Sequence, residues 1–362
     1  MKVALVHDFL IKLGGAERVL KSLSELFPAA PIYTLLYDEK IARESFSKDR
    51  VVTSFLQNYP GFIRRKHRYL LTKMPRAIEE FDFSGFDLVI SSSNAFAHGI
   101  LTPLNTKHLC YCHSPMRYAW DWVNEYRKEN KIYGLKKMLY TPIISYLRFW
   151  DKITSDRPTK YLANSNTVKQ RIKKYYHADS EIVYPPVDTN RFKASTSNEN
   201  YFLIVSTLTP YKKIDLAIAL FNKIGRKLVI IGDGPSRTYL QSMANDNIEF
   251  LGFKSDDVVK EYMENCRAFI FPGEEDFGIT PVEAMSAGKP ILAFAKGGLT
   301  ETVKSGKTGE FFFSPTIKSM EDGLARLLYN EKYYRPQTIR RHALNFSSDI
   351  FNKKIKQQIK KI

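Results

Sequence analysis

Two carboxylates, Glu275 and Glu283, flank a short glycine- and proline-containing stretch within residues 271–303. Pro281 predicts the start of a helix, because the N–H group that proline lacks would have no intrahelical partner there. Residues 278–280 would then lie at the helix N-terminus, where free N–H groups and the helix dipole favour an anion. Carboxylates accept hydrogen bonds from neighbouring hydroxyls. The pattern therefore predicts a site for a ligand that carries both phosphate and hydroxyl groups.

Strand and helix patterns alternate twice along the 362 residues, which predicts two doubly wound α/β domains. We expect an N-terminal domain at 1–185, a C-terminal domain at 186–344, and a last helix at about 345–362 that packs back on the first domain. Ligands of such folds bind beyond the carboxyl ends of the strands, so the cleft between two facing domains is the expected site. The predicted strands are residues 3–6, 87–91, 107–112, 201–206, 227–231, 248–251, 268–272 and 290–295.

Composition narrows the class of protein. A formal charge of +17 favours an anionic partner, which could be nucleic acid, an acidic membrane or a phosphorylated substrate, although excess lysine can also serve solubility alone. The three cysteines, Cys110, Cys112 and Cys266, are too few for a disulfide framework and are predicted to be small core residues. The N-terminal apolar run is too short for a signal peptide, and no run is long enough to span a membrane. We expect a cytoplasmic protein.

The 271–303 segment resembles the donor-site signature of the retaining glycosyltransferases of family 4. The letters EDFG end at Gly278, and EAMSAG begins at Glu283. The resemblance implies the GT-B fold, a catalytic Glu275 that contacts the hydroxyls of the donor sugar, and a Glu283 that holds the ribose hydroxyls. The backbone contacts that it implies to the sugar and diphosphate are at Phe277, Gly278, Ile279 and Thr280.

The opening letters VHDFLIKLGGAERVL look like the first strand and glycine-rich loop of the same family, which implies that Gly14 and Gly15 lie near the donor phosphates. The stretch YCHSPMRYAWDW is similar to a subgroup that builds bacterial O-antigen and capsule chains and contains many mannosyltransferases. By that resemblance His113 positions the sugar near the reaction centre. Arg117 could meet an acceptor phosphate, stack in the cleft, or form a surface ion pair.

The letters LIVSTLTPYKKIDLAI resemble the phosphate-binding segment of the family, and Lys212 matches its lysine. Thr207 stands where the family has an arginine, and one hydroxyl cannot replace a guanidinium fork. Either Lys212 or the lysine after it compensates, or an arginine arrives from elsewhere. The resemblance also places Gly232 beside the donor, and Gly252 with Phe253 against the base.

The implied reaction moves a sugar from a nucleoside diphosphate to an acceptor hydroxyl with retention of anomeric configuration. GDP-mannose is the first expectation for the donor, which is a substrate, and no cofactor is expected. The acceptor would be a glycan or a polyprenyl-diphosphate-linked sugar. Asp256 and Asp257 stand at a predicted helix start and not in a metal-binding Asp-x-Asp pattern, so no metal is expected.

Two basic and aromatic stretches, residues 64–69 and 127–160, suit an anionic membrane interface. We therefore expect peripheral binding at the inner membrane. Other classes fit parts of the sequence. A nucleic-acid-binding protein would share the charge but shows no recognised motif here. A nucleotide-sugar-binding protein without activity is conceivable because of Thr207, as are a transferase that uses UDP- or dTDP-sugars and a nucleotide-sugar epimerase.

Overall fold

The computed structural model describes all 362 residues, and the chain divides into two compact units. The first unit contains Met1–Pro186 and Phe351–Ile362, and the second contains Val187–Ile350. The change of unit follows two adjacent prolines, which stop regular structure. The chain returns to the first unit at Phe351, and residues 345–350 belong to the second unit.

The first unit is built on a seven-stranded parallel sheet with the order β3-β2-β1-β4-β5-β6-β7. Its strands are β1 (Val3–Leu10), β2 (Ile32–Tyr37), β3 (Val51–Thr53), β4 (Leu88–Ser93), β5 (Lys107–Cys112), β6 (Lys160–Ala163) and β7 (Ser180–Ile182). Its helices are α1 (Gly15–Leu26), α2 (Glu39–Ala42), α3 (Gly61–Arg65), α4 (Met74–Glu79), α5 (Val123–Glu129), α6 (Gly134–Ile153) and α7 (Asn166–Arg171).

The second unit is built on a six-stranded parallel sheet with the order β10-β9-β8-β11-β12-β13. Its strands are β8 (Phe202–Val205), β9 (Leu228–Ile231), β10 (Ile248–Gly252), β11 (Ala268–Phe271), β12 (Ile291–Phe294) and β13 (Gly309–Phe312). Its helices are α8 (Ile214–Ile224), α9 (Arg237–Met243), α10 (Asp256–Asn265), α11 (Ile279–Ser286), α12 (Leu299–Thr302), α13 (Ile317–Tyr329) and α14 (Pro336–Ala343).

The last helix, α15 (Ser348–Ile359), starts in the second unit and ends in the first. Its residues Phe351 and Ile355 are fully buried in the core formed by β1, β2 and α1. The Phe351 ring meets the Tyr111 ring edge to face at 5.7 Å. The lysines between these two apolar positions stay on the outer side of the helix, as the 3.6-residue period requires.

Strand order reverses once in each sheet, between β1 and β4 in the first unit and between β8 and β11 in the second. The loops that leave the two central strands diverge at such a point and open a crevice beyond the carboxyl ends of the strands. The fold therefore provides one natural binding position in each unit. The predicted two-domain α/β class is confirmed.

The predicted strand at 107–112 has the same bounds in the structure, and four strands, β2, β3, β6 and β13, were not predicted. The helix predicted to begin at Pro281 begins at Ile279, with Gly278 before it. The prediction was wrong by two residues because proline fits the whole first turn, where no N–H group has an intrahelical partner. All three cysteines are buried and free, as predicted. None of the helices is both long and apolar enough to cross a membrane.

Candidate functional site

Lys212 and Glu275 form the central contact of the second unit. The ammonium group of Lys212 meets the Glu275 carboxylate directly, and both side chains are only partly exposed. Lys212 follows β8 and Glu275 follows β11, so the pair spans the point where the strand order reverses. The Lys212 ammonium also lies 5.7 Å from the Phe271 ring and 5.2 Å from the Tyr211 ring. The sequence prediction named both residues, and the structure brings them together.

At this edge of the sheet, glycines allow the loops after neighbouring strands to pack closely against one another. A Cβ atom on Gly232, after β9, would lie 1.9 Å from the carbonyl oxygen of Ser206, after β8. A Cβ atom on Gly273, after β11, would lie 2.9 Å from the Lys212 backbone. The Gly232 N–H donates at 2.8 Å to the carbonyl oxygen of Gly252, which is the last residue of β10. These loops pack backbone against backbone, and that contact requires glycine.

The loop that carries Glu275 is also held from the other side, by the glycine pair after β12. The Gly298 N–H donates to the Glu275 carbonyl oxygen at 2.8 Å, and Gly297 pairs with Glu275 in an isolated parallel bridge. Gly297 has a φ of +67°, and a Cβ atom there would lie 2.2 Å from the Glu275 carbonyl oxygen. These contacts fix the backbone of Glu275 and leave no space for a side chain at position 297.

Helix α11 begins beside this loop. Gly278 adopts a left-handed φ of +87° and turns the chain into the helix. The N–H groups of Ile279 and Thr280 belong to the first turn, whose N–H groups have no acceptor within the helix. Phe277 is buried and packs edge to face on Phe346 at 5.6 Å, which anchors the turn. The helix start can thus accept an anion close to Glu275 in sequence.

Glu283 lies on α11 and is almost completely buried. The Arg191 guanidinium approaches it with Nη1 at 3.8 Å from Oε1 and also pairs with Asp256 at 3.2 Å. Arg191 stacks on the Phe192 ring at 4.6 Å. One arginine thereby connects the start of α10, just beyond Phe253, with the carboxylate predicted to hold the ribose.

Two predicted donor contacts are exposed side chains in the second unit. Thr207 lies at the end of β8 on the loop that packs against Gly232, and its side chain faces solvent. Phe253 follows β10 and is 85% exposed, although an aromatic ring of that size is normally covered. No arginine takes the place of Thr207 beside Glu275, where the cation in contact is Lys212.

In the first unit the predicted residues gather at the β1/β4 reversal. Gly14 precedes α1 and its N–H donates to the Glu17 carboxylate at 2.7 Å, while Gly15 is the first residue of that helix. His113 follows β5, and its Nε2 atom lies 2.8 Å from the Ser92 hydroxyl, with which it shares a hydrogen bond. Burial lowers the pKa of His113 to about 3, so its ring is neutral at physiological pH.

Arg117 lies with its guanidinium 4.6 Å from the Trp122 ring centre, a cation–π contact within the YAWDW stretch. Stacking was one of the three readings of Arg117 made from the sequence, and Trp122 is an observed partner for it.

Four residues that shape these sites were not assigned from the sequence. The doublet at Gly297 and Gly298 directly after a strand was an available signal, since paired glycines mark close backbone approach. Arg191 carried no such signal, because a single arginine in a loop is usually solvated. Glu17 was hidden in the polar pattern of α1, and its burial against β1 depends on tertiary packing.

The arrangement in the second unit combines a lysine-held carboxylate, a helix start and a buried carboxylate. The lysine and the free N–H groups can neutralise a diphosphate, and the carboxylates can orient hydroxyl groups. A ligand with a diphosphate between two polyhydroxylated parts matches that combination of groups.

The fold and this site define a two-domain glycosyltransferase of the GT-B type. The crystal structure of Anabaena Alr3699/HepE in complex with UDP and glucose matches the whole of both chains with a TM-score of 0.73 at 18% identity. Residues 13–191 match the family described as Glycosyltransferase Family 4, and residues 187–342 match Glycosyl transferases group 1. The chain belongs to glycosyltransferase family 4.

Two relatives of the chain are named as mannosyltransferases. The alpha-1,3/1,6-mannosyltransferase ALG2 of Dictyostelium discoideum is 23% identical over 392 residues, which cover 91% of this chain and 90% of that protein. The O-antigen chain mannosyltransferase RfbU of Salmonella typhimurium is 31% identical over 159 residues, which cover 41% of this chain and 45% of that protein.

Proposed function

We propose that this protein transfers a hexose, with mannose from GDP-mannose as the first candidate, to a glycan or polyprenyl-diphosphate-linked acceptor in bacterial surface polysaccharide synthesis. The observation that carries the proposal is the Lys212–Glu275 contact at the strand-order reversal, next to the start of α11. The contact supplies a cation and a carboxylate, and the helix start supplies free N–H groups. A sugar diphosphate requires groups of these kinds.

In the proposed reaction the bond between the anomeric carbon and the diphosphate breaks, and a bond to the acceptor oxygen forms on the same face. The acceptor proton passes to the departing phosphate oxygen, so no protein nucleophile is required. Lys212 and the Ile279 and Thr280 N–H groups stabilise the negative charge that develops on the diphosphate. Glu275 orients the sugar hydroxyls and Glu283 the ribose hydroxyls. Positioning and electrostatics then account for the rate.

Mannose is favoured because two relatives are named as mannosyltransferases, and GDP as carrier follows from the resemblance to the O-antigen subgroup. The HepE structure holds UDP and glucose, so a UDP-sugar is the alternative donor. A nucleotide-sugar-binding protein without transferase activity is the second candidate function. The exposed Thr207, in the place of an arginine, favours it.

A nucleotide panel tests the proposal. We expect GDP to raise the unfolding temperature more than UDP, dTDP or ADP, because the proposed donor is GDP-mannose. A ligand at 100 times its Kd adds about 2.7 kcal/mol to the free energy of unfolding. Release of GDP from GDP-mannose in the presence of a polyprenyl-diphosphate sugar is expected to persist in a chelator, since the proposed reaction uses no metal. Binding without transfer would favour the second candidate, and no stabilisation by any nucleotide would contradict both.

We further propose that the first unit binds an anionic membrane through a basic and apolar surface made of residues 62–69 and 133–149. Exposed side chains of this surface include Phe62, Tyr69, Leu135, Met138, Leu139 and Phe149. Arg68 stacks on Tyr126, which stacks on Tyr140, so the two segments lie side by side. Apolar side chains among lysines and arginines suit insertion at the headgroup level, and the occupant we propose is an acidic lipid surface.

Neutralising Lys136 and Lys137 together with glutamine is expected to weaken binding to vesicles with anionic lipid by roughly 30-fold at low salt, since each lysine near the surface contributes about 1 kcal/mol. Co-sedimentation measures the effect. The control is the pair Lys304→Gln and Lys307→Gln, which removes the same charge from exposed positions of the second unit. Equal loss in both pairs would contradict a defined surface, as would failure of the unchanged protein to bind.

A further inference from the structure

Four buried side chains form a continuous polar chain in the first unit. The Glu17 carboxylate lies 3.5 Å from Nε2 of His7. Nδ1 of His7 lies 3.0 Å from the carbonyl oxygen of Ser92 and 3.1 Å from its hydroxyl. That hydroxyl lies 2.8 Å from Nε2 of His113. The relative exposure of His7, Glu17, Ser92 and His113 is 1%, 3%, 0% and 8%, so water does not compete for these contacts.

Both ring nitrogens of His7 face oxygen atoms that accept hydrogen bonds. A carbonyl oxygen cannot donate, so Nδ1 must carry a proton to interact favourably with Ser92. The Glu17 carboxylate is ionised. Burial raises the pKa of this carboxyl, but the hydrogen bond and charge of His7 and the charge of Lys12 outweigh burial and leave the pKa below its usual value. An ionised carboxylate calls for a second proton, on Nε2. The geometry is therefore satisfied by a doubly protonated His7.

The proton on Nδ1 of His7 favours one direction for the next hydrogen bond. With Nδ1 of His7 acting as a donor, the Ser92 hydroxyl has no need to donate to His7 and is free to donate to His113. Nε2 of His113 then accepts, and a neutral ring keeps its single proton on Nδ1. Nδ1 makes no hydrogen bond within the chain. It is the nitrogen left for a ligand.

We propose that Glu17 and His7 are positioning residues that act through Ser92 to hold His113 in the tautomer with its proton on Nδ1, so that His113 offers a donor to a substrate oxygen. The role in substrate binding rests on the proposed function, but the tautomer does not. Glu17 also accepts the Gly14 N–H with its other carboxylate oxygen, so one buried side chain fixes both the glycine loop and the histidine.

The strand that carries Ser92 offers a matched control. Ser91, its neighbour on β4, makes an equivalent hydroxyl contact of 2.8 Å with Nε2 of another buried histidine, His108. Successive residues of a strand point to opposite faces of the sheet, so Ser91 contacts neither His7 nor His113. Replacing Ser91 or Ser92 with alanine removes the same group from the same strand, and only the second change touches the proposed chain.

Nitrogen-15 NMR of histidine-labelled full-length protein at neutral pH tests the tautomer, with His7→Gln and His113→Gln used to assign the signals. We expect His113 to be protonated on Nδ1 alone and His7 on both nitrogens. Ser92→Ala should move the His113 proton toward Nε2, and Ser91→Ala should leave it in place. Glu17→Gln should remove the second proton from His7. A His113 protonated on Nε2 in the unchanged protein would overturn the proposal.

Kinetics then separate the tautomer from the function. Loss of one neutral hydrogen bond to substrate should lower kcat/KM by about tenfold in Ser92→Ala, and Ser91→Ala should stay near the unchanged protein. The expected tautomers together with no transfer by the unchanged protein would refute the proposed function and leave the positioning of His113 intact. The reverse outcome, normal transfer with the opposite tautomer, would refute only the positioning.

Discussion

Replacing Glu275 with glutamine is expected to lower the rate of sugar transfer by about 10²- to 10³-fold, the range measured when one preorganised polar group is removed from an active site. Glutamine keeps the size of the side chain but loses the charge that holds the Lys212 ammonium. The sugar hydroxyls lose a charged acceptor and keep only the weaker amide oxygen, and Lys212 loses the partner that fixes its position. Transfer rates at saturating donor, measured beside the unfolding temperature, separate a catalytic loss from a loss of fold.

Glu274→Gln is the matched control for this prediction. Glu274 is the preceding residue of the same loop, and its carboxylate pairs with Lys296 at 3.0 Å instead of with Lys212. An exposed pair of this kind contributes at most about 1 kcal/mol to stability. We expect near-normal transfer in Glu274→Gln and unchanged stabilisation by the nucleotide in both variants. Full activity in Glu275→Gln would show that the reaction takes place elsewhere.

Replacing Gly297 with alanine is expected to destabilise the second unit by about 2–4 kcal/mol and to lower transfer at least tenfold. The residue has a φ of +67°, and an added Cβ would meet the Glu275 carbonyl oxygen at 2.2 Å. The clash is with backbone, so a rotamer change cannot relieve it. The loop that carries Glu275 has to move, and a displacement of about 1 Å is enough to cost catalysis heavily.

Gly306→Ala separates the clash from the backbone strain. Gly306 has a similar φ of +71°, but nothing lies within 4 Å of the position that a Cβ would occupy. Its replacement should cost only the strain of a left-handed alanine, about 1–2 kcal/mol, and should leave transfer intact. Equal effects of the two substitutions on transfer would mean that Gly297 acts through stability alone and does not position Glu275.

The second unit could be predicted from its sequence further than the first. Three of its strands, β9, β10 and β11, are short apolar runs that end at or next to a glycine or proline, and Glu275 and Glu283 lie within one segment that matches a family signature. In the first unit, β1 was predicted to end at Val6 but continues to Leu10. Polar residues interrupt the apolar run, and only tertiary contacts make them acceptable inside the fold.

Asp8 illustrates why that extension was hidden. Its buried carboxylate accepts four backbone N–H groups, from residues 94–97, at 2.5–2.9 Å. Those donors come from a loop that follows β4, far along the chain. Burying an aspartate costs free energy unless such partners exist, and the letters around Asp8 give no sign of them. The same reason hid Arg191, whose partners Asp256 and Glu283 are also distant in sequence.

The cationic half of the site was the part that the sequence left open. The family arginine is absent at Thr207, and the lysine pair left two candidates for compensation. The structure places the Lys212 ammonium against Glu275, while Lys213 adopts a left-handed φ of +53° immediately before α8. The two adjacent lysines thus differ in backbone conformation and in contacts, a difference that residue types alone do not specify.

A crystal structure of the protein with the nucleoside diphosphate that stabilises it most is the most direct test of a donor site at Glu275 and Glu283. We predict the ribose hydroxyls within hydrogen-bond distance of the Glu283 carboxylate. We predict the diphosphate at the N–H groups of Ile279 and Thr280 and at Lys212. A nucleotide bound elsewhere in the second unit, or bound only to the first, would contradict the assignment.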